Sequence, residues 1–148
     1  MRALIQRVNN ARVTVDGNIV GDIGRGLLIF LGVMQEDTVR DMERLAGRCL
    51  KLRCFTDEND KMNLNVSQID GSILVVSQFT LCADTASGHR PSFSPAARPD
   101  WANELYEKFV EQLRQSGIRV ETGIFAADMK VDLCNDGPVT FLLEESGK

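Results

Sequence analysis

The run Ile73-Leu74-Val75-Val76 passes directly into Ser77-Gln78-Phe79-Thr80-Leu81, and this abrupt change limits the folds open to the chain. Four consecutive aliphatic residues, three of them β-branched, belong to a strand covered on both faces, and hence to a sheet with a layer on each side. A second run, Leu27-Leu28-Ile29-Phe30-Leu31-Gly32-Val33, has the same character and predicts a second central strand. With 148 residues and 43% hydrophobic content, the chain fits one domain over residues 1–148, with one substantial core.

The flanking layers are legible from other periods. Strand patterns at residues 2–8, 11–15 and 19–23 open the chain, and Asp16-Gly17-Asn18 between the last two predicts a hairpin. From Thr38 the spacing of Val39, Met42, Leu45, Ala46, Cys49 and Leu50 predicts a helix of about four turns, with Thr38 and Asp41 as a capping box. Arg40, Arg44, Arg48 and Lys51 fall along one side of it, either a solvated face or a strip for phosphate contacts. Residues 62–66 alternate like a strand. A second helix starts at Pro99, carries Ala102, Leu105, Tyr106, Phe109 and Leu113 as its apolar stripe, and ends before Gly117. The tail predicts three strands, residues 118–122, 130–135 and 139–144, with a turn at Asn135-Asp136-Gly137-Pro138 between the last two.

Composition removes several classes of function. Cys49, Cys54, Cys82 and Cys134 lie far apart with no C-x-x-C pair and His89 is the only histidine, so a structural zinc site is not expected; free thiols fit a reducing compartment. No segment has the length of a membrane span and the N-terminus enters a strand pattern directly, so the expectation is a soluble, cytoplasmic protein. A net charge of −4 confines any nucleic-acid contact to a local patch.

Two places concentrate polar chemistry. Where the buried strand turns polar, Ser77 and Thr80 bring hydroxyls, Gln78 an amide, and the backbone N–H groups that stop pairing are free to point into a pocket. The plainer alternative is a core strand whose Ser and Gln are satisfied by neighbouring backbone. At Gly137-Pro138 the glycine permits close approach and the X-Pro bond has access to the cis form; the plainer alternative is a hairpin turn. Arg90, in the aperiodic segment 82–98, is a candidate for a phosphate or carboxylate.

The strings SQFTL, GHRPSF, FAADM and NDGPVT, in this order, together with the ALIQRV opening and KMNLNV, resemble the D-aminoacyl-tRNA deacylase family over essentially the whole chain. The resemblance implies an α/β fold of three layers, α/β/β, with a barrel-like, mainly antiparallel sheet core and two principal helices. It implies a homodimer with active sites at the subunit interface. By the same motifs, Ser77, Gln78, Phe79 and Thr80 match the pocket motif, Met129 lies near the pocket, and Gly137 and Pro138 match a Gly-cisPro motif inserted into the opposite subunit's pocket.

The implied reaction is hydrolysis of the ester joining a D-amino acid to the terminal ribose of tRNA, without a cofactor. Peptide N–H groups near Phe79 and Thr80 would hold the oxyanion and the substrate's 2′-hydroxyl would help to activate water. Carbonyls of Gly137 and Pro138 would capture the α-ammonium group, so that an L side chain clashes, a D side chain does not, and glycine is cleaved as well. Two alternatives stand beside this reading. One is a non-catalytic tRNA-binding module; the other is a small-ester hydrolase using Thr80, or Ser77, as nucleophile.

Overall fold

The computed structural model describes residues 1–147. Its elements in chain order are β1 (Arg2–Val15), β2 (Asn18–Ile23), β3 (Gly26–Gly32), α1 (Val39–Lys51), β4 (Phe55–Thr56), β5 (Met62–Leu64), β6 (Ser72–Ser77), a 3₁₀ turn (Phe79–Cys82), α2 (Pro99–Gln115), β7 (Val120–Thr122) and β8 (Lys130–Glu144).

The two apolar runs become β3 and β6, paired in parallel at the centre of the sheet. Each is buried on both faces. Leu27, Ile29, Leu31, Ile73 and Val75 face a core shared with both helices, whereas Leu28, Leu74 and Val76 face a second, smaller core. β7 extends the sheet in parallel beyond β6, while β1 pairs antiparallel with β3, β2 and β8. The sheet is thus mixed and mainly antiparallel.

β1 makes the third layer possible. Its Ala3 and Ile5 point to the helices, but its Val8, Ala11 and Val13 point into the second core. Register irregularities between Gln6, Val8 and Asn10 accompany the switch, as expected where a bulge re-aims side chains and bends a strand. The bent half carries β2 back toward the far edge, where Arg119 Nη2 donates to the Asp22 carbonyl at 3.1 Å. The sheet therefore curls nearly into a barrel around the second core, with α1 and α2 covering its other side.

Local signals act as the sequence predicts at both helices and the first hairpin. Asp16 and Gly17 have φ of 50° and 79°, the left-handed pair of a tight hairpin turn. Thr38 and Asp41 form the reciprocal capping box of α1. Gly117, with φ of 89°, follows the last turn of α2 and its amide donates to the Arg114 carbonyl at 3.0 Å.

Three expectations are corrected. Residues 2–8 and 11–15 are one strand, because between them the bulged chain skips only Asn9 and resumes its pairing with β8 at Asn10. Residues 130–135 and 139–144 are likewise the two halves of β8, both paired with β1, so the intervening turn is a projecting bulge and not a hairpin. Strand structure at residues 62–66 and 118–122 is confined to Met62–Leu64 and Val120–Thr122, where a neighbouring strand offers partners.

Candidate functional site

β6 ends at Ser77, opposite Leu31, and the Gln78 amide makes a last bond to the Leu31 carbonyl at 2.8 Å. The chain then winds into the 3₁₀ turn. Leu81 N donates to the Gln78 carbonyl at 3.2 Å and Ala83 N to the Thr80 carbonyl at 3.2 Å. Among the described residues, the Phe79 and Thr80 amides find no acceptor in the chain. A polar turn at the end of a buried strand thus presents two unsatisfied donors, which the sequence pattern anticipates.

The turn is seated closely on β3. A Cβ at Gly32 would lie 2.9 Å from Cys82 Sγ and 3.0 Å from Leu81 Cβ. Cys82 is buried behind the turn, its thiol donating to the Val33 carbonyl at 3.3 Å, and burial pushes its pKa up. Gln78 Nε2 donates to Thr80 Oγ1 at 2.9 Å. Phe79 stands outward, 58% exposed, with its ring 5.0 Å from that of Phe93.

In front of the turn lies a cavity of about 490 Å³. Ser77, Gln78, Phe79, Thr80 and Met129 all line it, so five of the seven residues singled out from sequence come together. Its other walls are Phe30, Leu31, Val33 and Val76 from the sheet, Ala97, Pro99 and Ala102 at the start of α2, and Phe125, Ala126, Ala127 and Val131. Gly123 gives Met129 room, since a Cβ there would meet its sulfur at 2.5 Å. Tyr106 steadies both sides of the wall by donating to the Val75 carbonyl at 3.3 Å and packing its ring 6.0 Å from Phe125.

Among the described residues, no carboxylate, ammonium, guanidinium or imidazole lines this cavity. His89 and Arg90 are exposed on the loop that precedes Phe93 and do not line the cavity. Among the described residues, no group of His, Cys, Asp and Glu is arranged to hold a metal ion, and no helix is long and apolar enough to cross a membrane.

Gly137 and Pro138 are elsewhere. They form the exposed tip of the β8 bulge, outside the cavity of their own chain, with a cis peptide between them and φ of 138° at Gly137. Two residues that the sequence reading passed over hold the bulge. Asn135 Nδ2 donates to the Val139 carbonyl at 2.9 Å and the Arg7 carbonyl at 3.1 Å, and its Oδ1 accepts from Val139 N at 3.1 Å. Arg7, buried in β1, donates Nη1 to the Cys54 carbonyl at 2.7 Å and Nε to the Asp136 carbonyl at 3.1 Å, with the Asp136 carboxylate at 3.3 Å. The available signal was parity, since Arg7 occupies the inward position that continues Ala3 and Ile5.

The family profile described as D-Tyr-tRNA(Tyr) deacylase matches residues 4–144. The chain belongs to that family. It is 62% identical over 144 residues to D-aminoacyl-tRNA deacylases of Yersinia pestis (strain Pestoides F) and Yersinia pseudotuberculosis serotype O:1b (strain IP 31758), spanning 97% of this chain and 99% of each relative. Among solved structures, the c-Myc DNA Unwinding Element Binding Protein superposes with a TM-score of 0.93 at 40% identity, covering 99% of this chain and 100% of that one. A probable eukaryotic D-amino acid tRNA deacylase superposes with a TM-score of 0.86 at 17% identity over 97% and 98% of the two chains, a likeness of fold. The family's three-layer architecture is the one described above.

Proposed function

We propose that the chain, as one domain over residues 1–148, hydrolyses the ester between a D-amino acid and the terminal ribose of tRNA, and cleaves glycyl-tRNA as well. Family membership supports the deacylase activity, and with it a carboxylic ester hydrolase whose substrate is a charged tRNA. One observation carries the chemical reading: the cavity beside residues 77–80 is walled by apolar side chains together with Ser77, Gln78 and Thr80 and, among the described residues, by no side-chain acid or base.

Such a site suits an activated ester. The unpaired Phe79 and Thr80 amides support the binding of a developing oxyanion at this turn, and one preorganised donor of this kind is worth about 3–4 kcal/mol of transition-state stabilisation. Water is the nucleophile, assisted by the substrate's own 2′-hydroxyl. Thr80 is poorly suited to that role, because its hydroxyl is engaged by the Gln78 amide N–H, which cannot accept a proton.

The substrate's α-ammonium group needs acceptors, and among side chains lining the cavity only those of Ser77, Gln78 and Thr80 offer any, all at the turn. Exposed carbonyls of Gly137 and Pro138 from a second copy would supply them, making the active species a homodimer with two shared sites. With the ammonium and carbonyl carbon fixed, the side chain of an L-residue meets protein while that of a D-residue leaves toward solvent. Met129 and Ser77 complete the wall against which the substrate lies. Proofreading of this kind belongs in the cytoplasm, beside translation.

Two measurements test the proposal. D-Tyrosyl-tRNA is expected to be cleaved far faster than L-tyrosyl-tRNA, and equal rates would overturn the stereochemical reading. Chains carrying Ala102→Trp, which fills the cavity, and chains carrying Gly137→Val, which displaces the bulge, are each expected to be inactive as homodimers. Refolded together they should regain about a quarter of native activity, through mixed dimers with one intact site. No recovery would show that the site is not shared.

A further inference from the structure

We propose that the outer face of α1 is a docking strip for the phosphate backbone of the acceptor end of the tRNA, an inference that rests on the deacylase reading above. Arg40, Arg44, Gly47, Arg48 and Lys51 lie within a sector of about 100° of the helix surface. Among the described residues, Arg40, Arg44 and Lys51 have neither an ion pair nor a side-chain hydrogen bond, whereas Arg48 is held by the Glu144 carbonyl and the Glu145 carboxylate. Among the described residues, the other Lys and Arg side chains without such a partner are Arg25, which lies over the Phe55 ring, and Lys61, Arg90 and Lys108, each on a different part of the fold. In a chain of net charge −4, this is where positive charge is concentrated, four cations on a helix whose one exposed acid is Glu43.

The strip departs from what helix stability alone favours in three ways. Arg40 and Arg44, and Arg44 and Arg48, are like charges four residues apart, which repel. Arg40 stands in the first turn, where the helix dipole opposes a cation. Gly47 occupies a helix interior position, where alanine is favoured, yet a Cβ there would meet nothing within 4 Å. No packing within the chain calls for that glycine. Three local costs on one face mark a functional surface, and a bare patch of backbone among arginines suits close approach by a polyanion.

Position links the strip to the cavity. Val33 lines the cavity and accepts from Ala97 N at 2.9 Å; the segment leading on to α1 is pinned by Gln35 N to the Pro95 carbonyl at 2.9 Å and by Trp101 Nε1 to the Asp37 carbonyl at 2.9 Å. The segment that leads into α1 is therefore tied to the cavity wall. On the neighbouring α2, Asp100, Glu104, Glu107 and Glu111 are exposed, so a backbone of phosphates is repelled there and attracted along α1.

The test compares native protein with Arg40→Gln/Arg44→Gln and with Gly47→Ala, using D-tyrosyl-tRNA and a minimal D-tyrosyl ester of adenosine that cannot reach α1. With the full tRNA, the double variant is expected to raise KM about tenfold with kcat retained, and to lower the magnitude of the log affinity against log salt slope by about 2. Gly47→Ala is expected to raise both Tm and the tRNA KM. All three proteins should cleave the minimal ester alike. Native KM and salt slope in the double variant, or native KM in Gly47→Ala, would overturn the strip, as would a change of oligomeric mass without a change of slope, which would assign the face to a protein contact. Absence of D-tyrosyl-tRNA cleavage by the native protein would instead overturn the deacylase reading, and salt-dependent binding of the uncharged tRNA would still report on the strip.

Discussion

Replacing Arg7 by methionine keeps most of the side-chain volume and removes the charge that joins β1 to the β8 bulge. The bond to the Cys54 carbonyl, at 2.7 Å, is buried, so its loss leaves an acceptor without water. Asp136 differs, because its side chain is 36% exposed against 10% for Arg7, and solvent can replace much of that partnership. Hydrogen bonds from charged groups contribute about 1.5–3 kcal/mol each. Counting the Cys54 bond fully and those to Asp136 in part gives a loss of about 3 kcal/mol, or about 6–12 °C in Tm for a domain of this size. Urea and thermal unfolding read the stability, and deacylation at 25 °C, where the variant is still folded, reads the site. Release of the bulge is expected to lower kcat/KM for D-tyrosyl-tRNA at least about tenfold, the scale at which small misplacements of binding groups act. A variant that loses the stability but keeps native kcat/KM would refute the reasoning that Arg7 holds Gly137 and Pro138 for function; one within about 1 kcal/mol of native would refute the energetic accounting.

Gly32→Ala should push the 3₁₀ turn away from β3, costing about 1–3 kcal/mol by overpacking and lowering kcat more than KM; unchanged kinetics would show that the turn tolerates displacement. Burial raises the Cys49 thiol from its ordinary value of 9.0 to about 12, and Cys54, Cys82 and Tyr106 are raised as well. Between the unfolded and folded values the unfolded chain binds fewer protons, so stability is held below pH 9 and falls above it, by up to about 1.4 kcal/mol per pH unit for each such group. In Cys49→Ala the urea midpoint should fall less steeply from pH 9 to 11, and an equal slope would contradict this assignment. A maleimide at pH 7 should label at most one thiol per folded chain, at the exposed Cys134; modification of Cys49, Cys54 or Cys82 without denaturant would contradict the burial described.

The central strands, both helices and the first hairpin were legible because each is specified locally, by a continuous apolar run, a stripe with a cap, or an Asp-Gly turn. β8 was not, because the pairing of both its halves depends on the length of β1 and not on anything within residues 130–144. In the site, residues 77–80 announced themselves by breaking the apolar run. The remaining walls, such as Ala97, Ala102 and Ala127, did not, because small apolar residues that border a cavity look the same in sequence as those that fill a core. Arg7 and Asn135 act on backbone carbonyls far away in the chain, and such bonds leave no motif.

Asn135 has a consequence for how this fold can change. Its amide stands in for a peptide unit, bonding both the N–H and the carbonyl of Val139 across the bulge so that the ladder resumes in step at Thr140. The segment between is insulated from the register of the sheet. A substitution at Gly137, where φ is 138°, therefore strains the tip while the flanking strands keep their alignment, so the tip is altered without the protein having to solve its folding problem again.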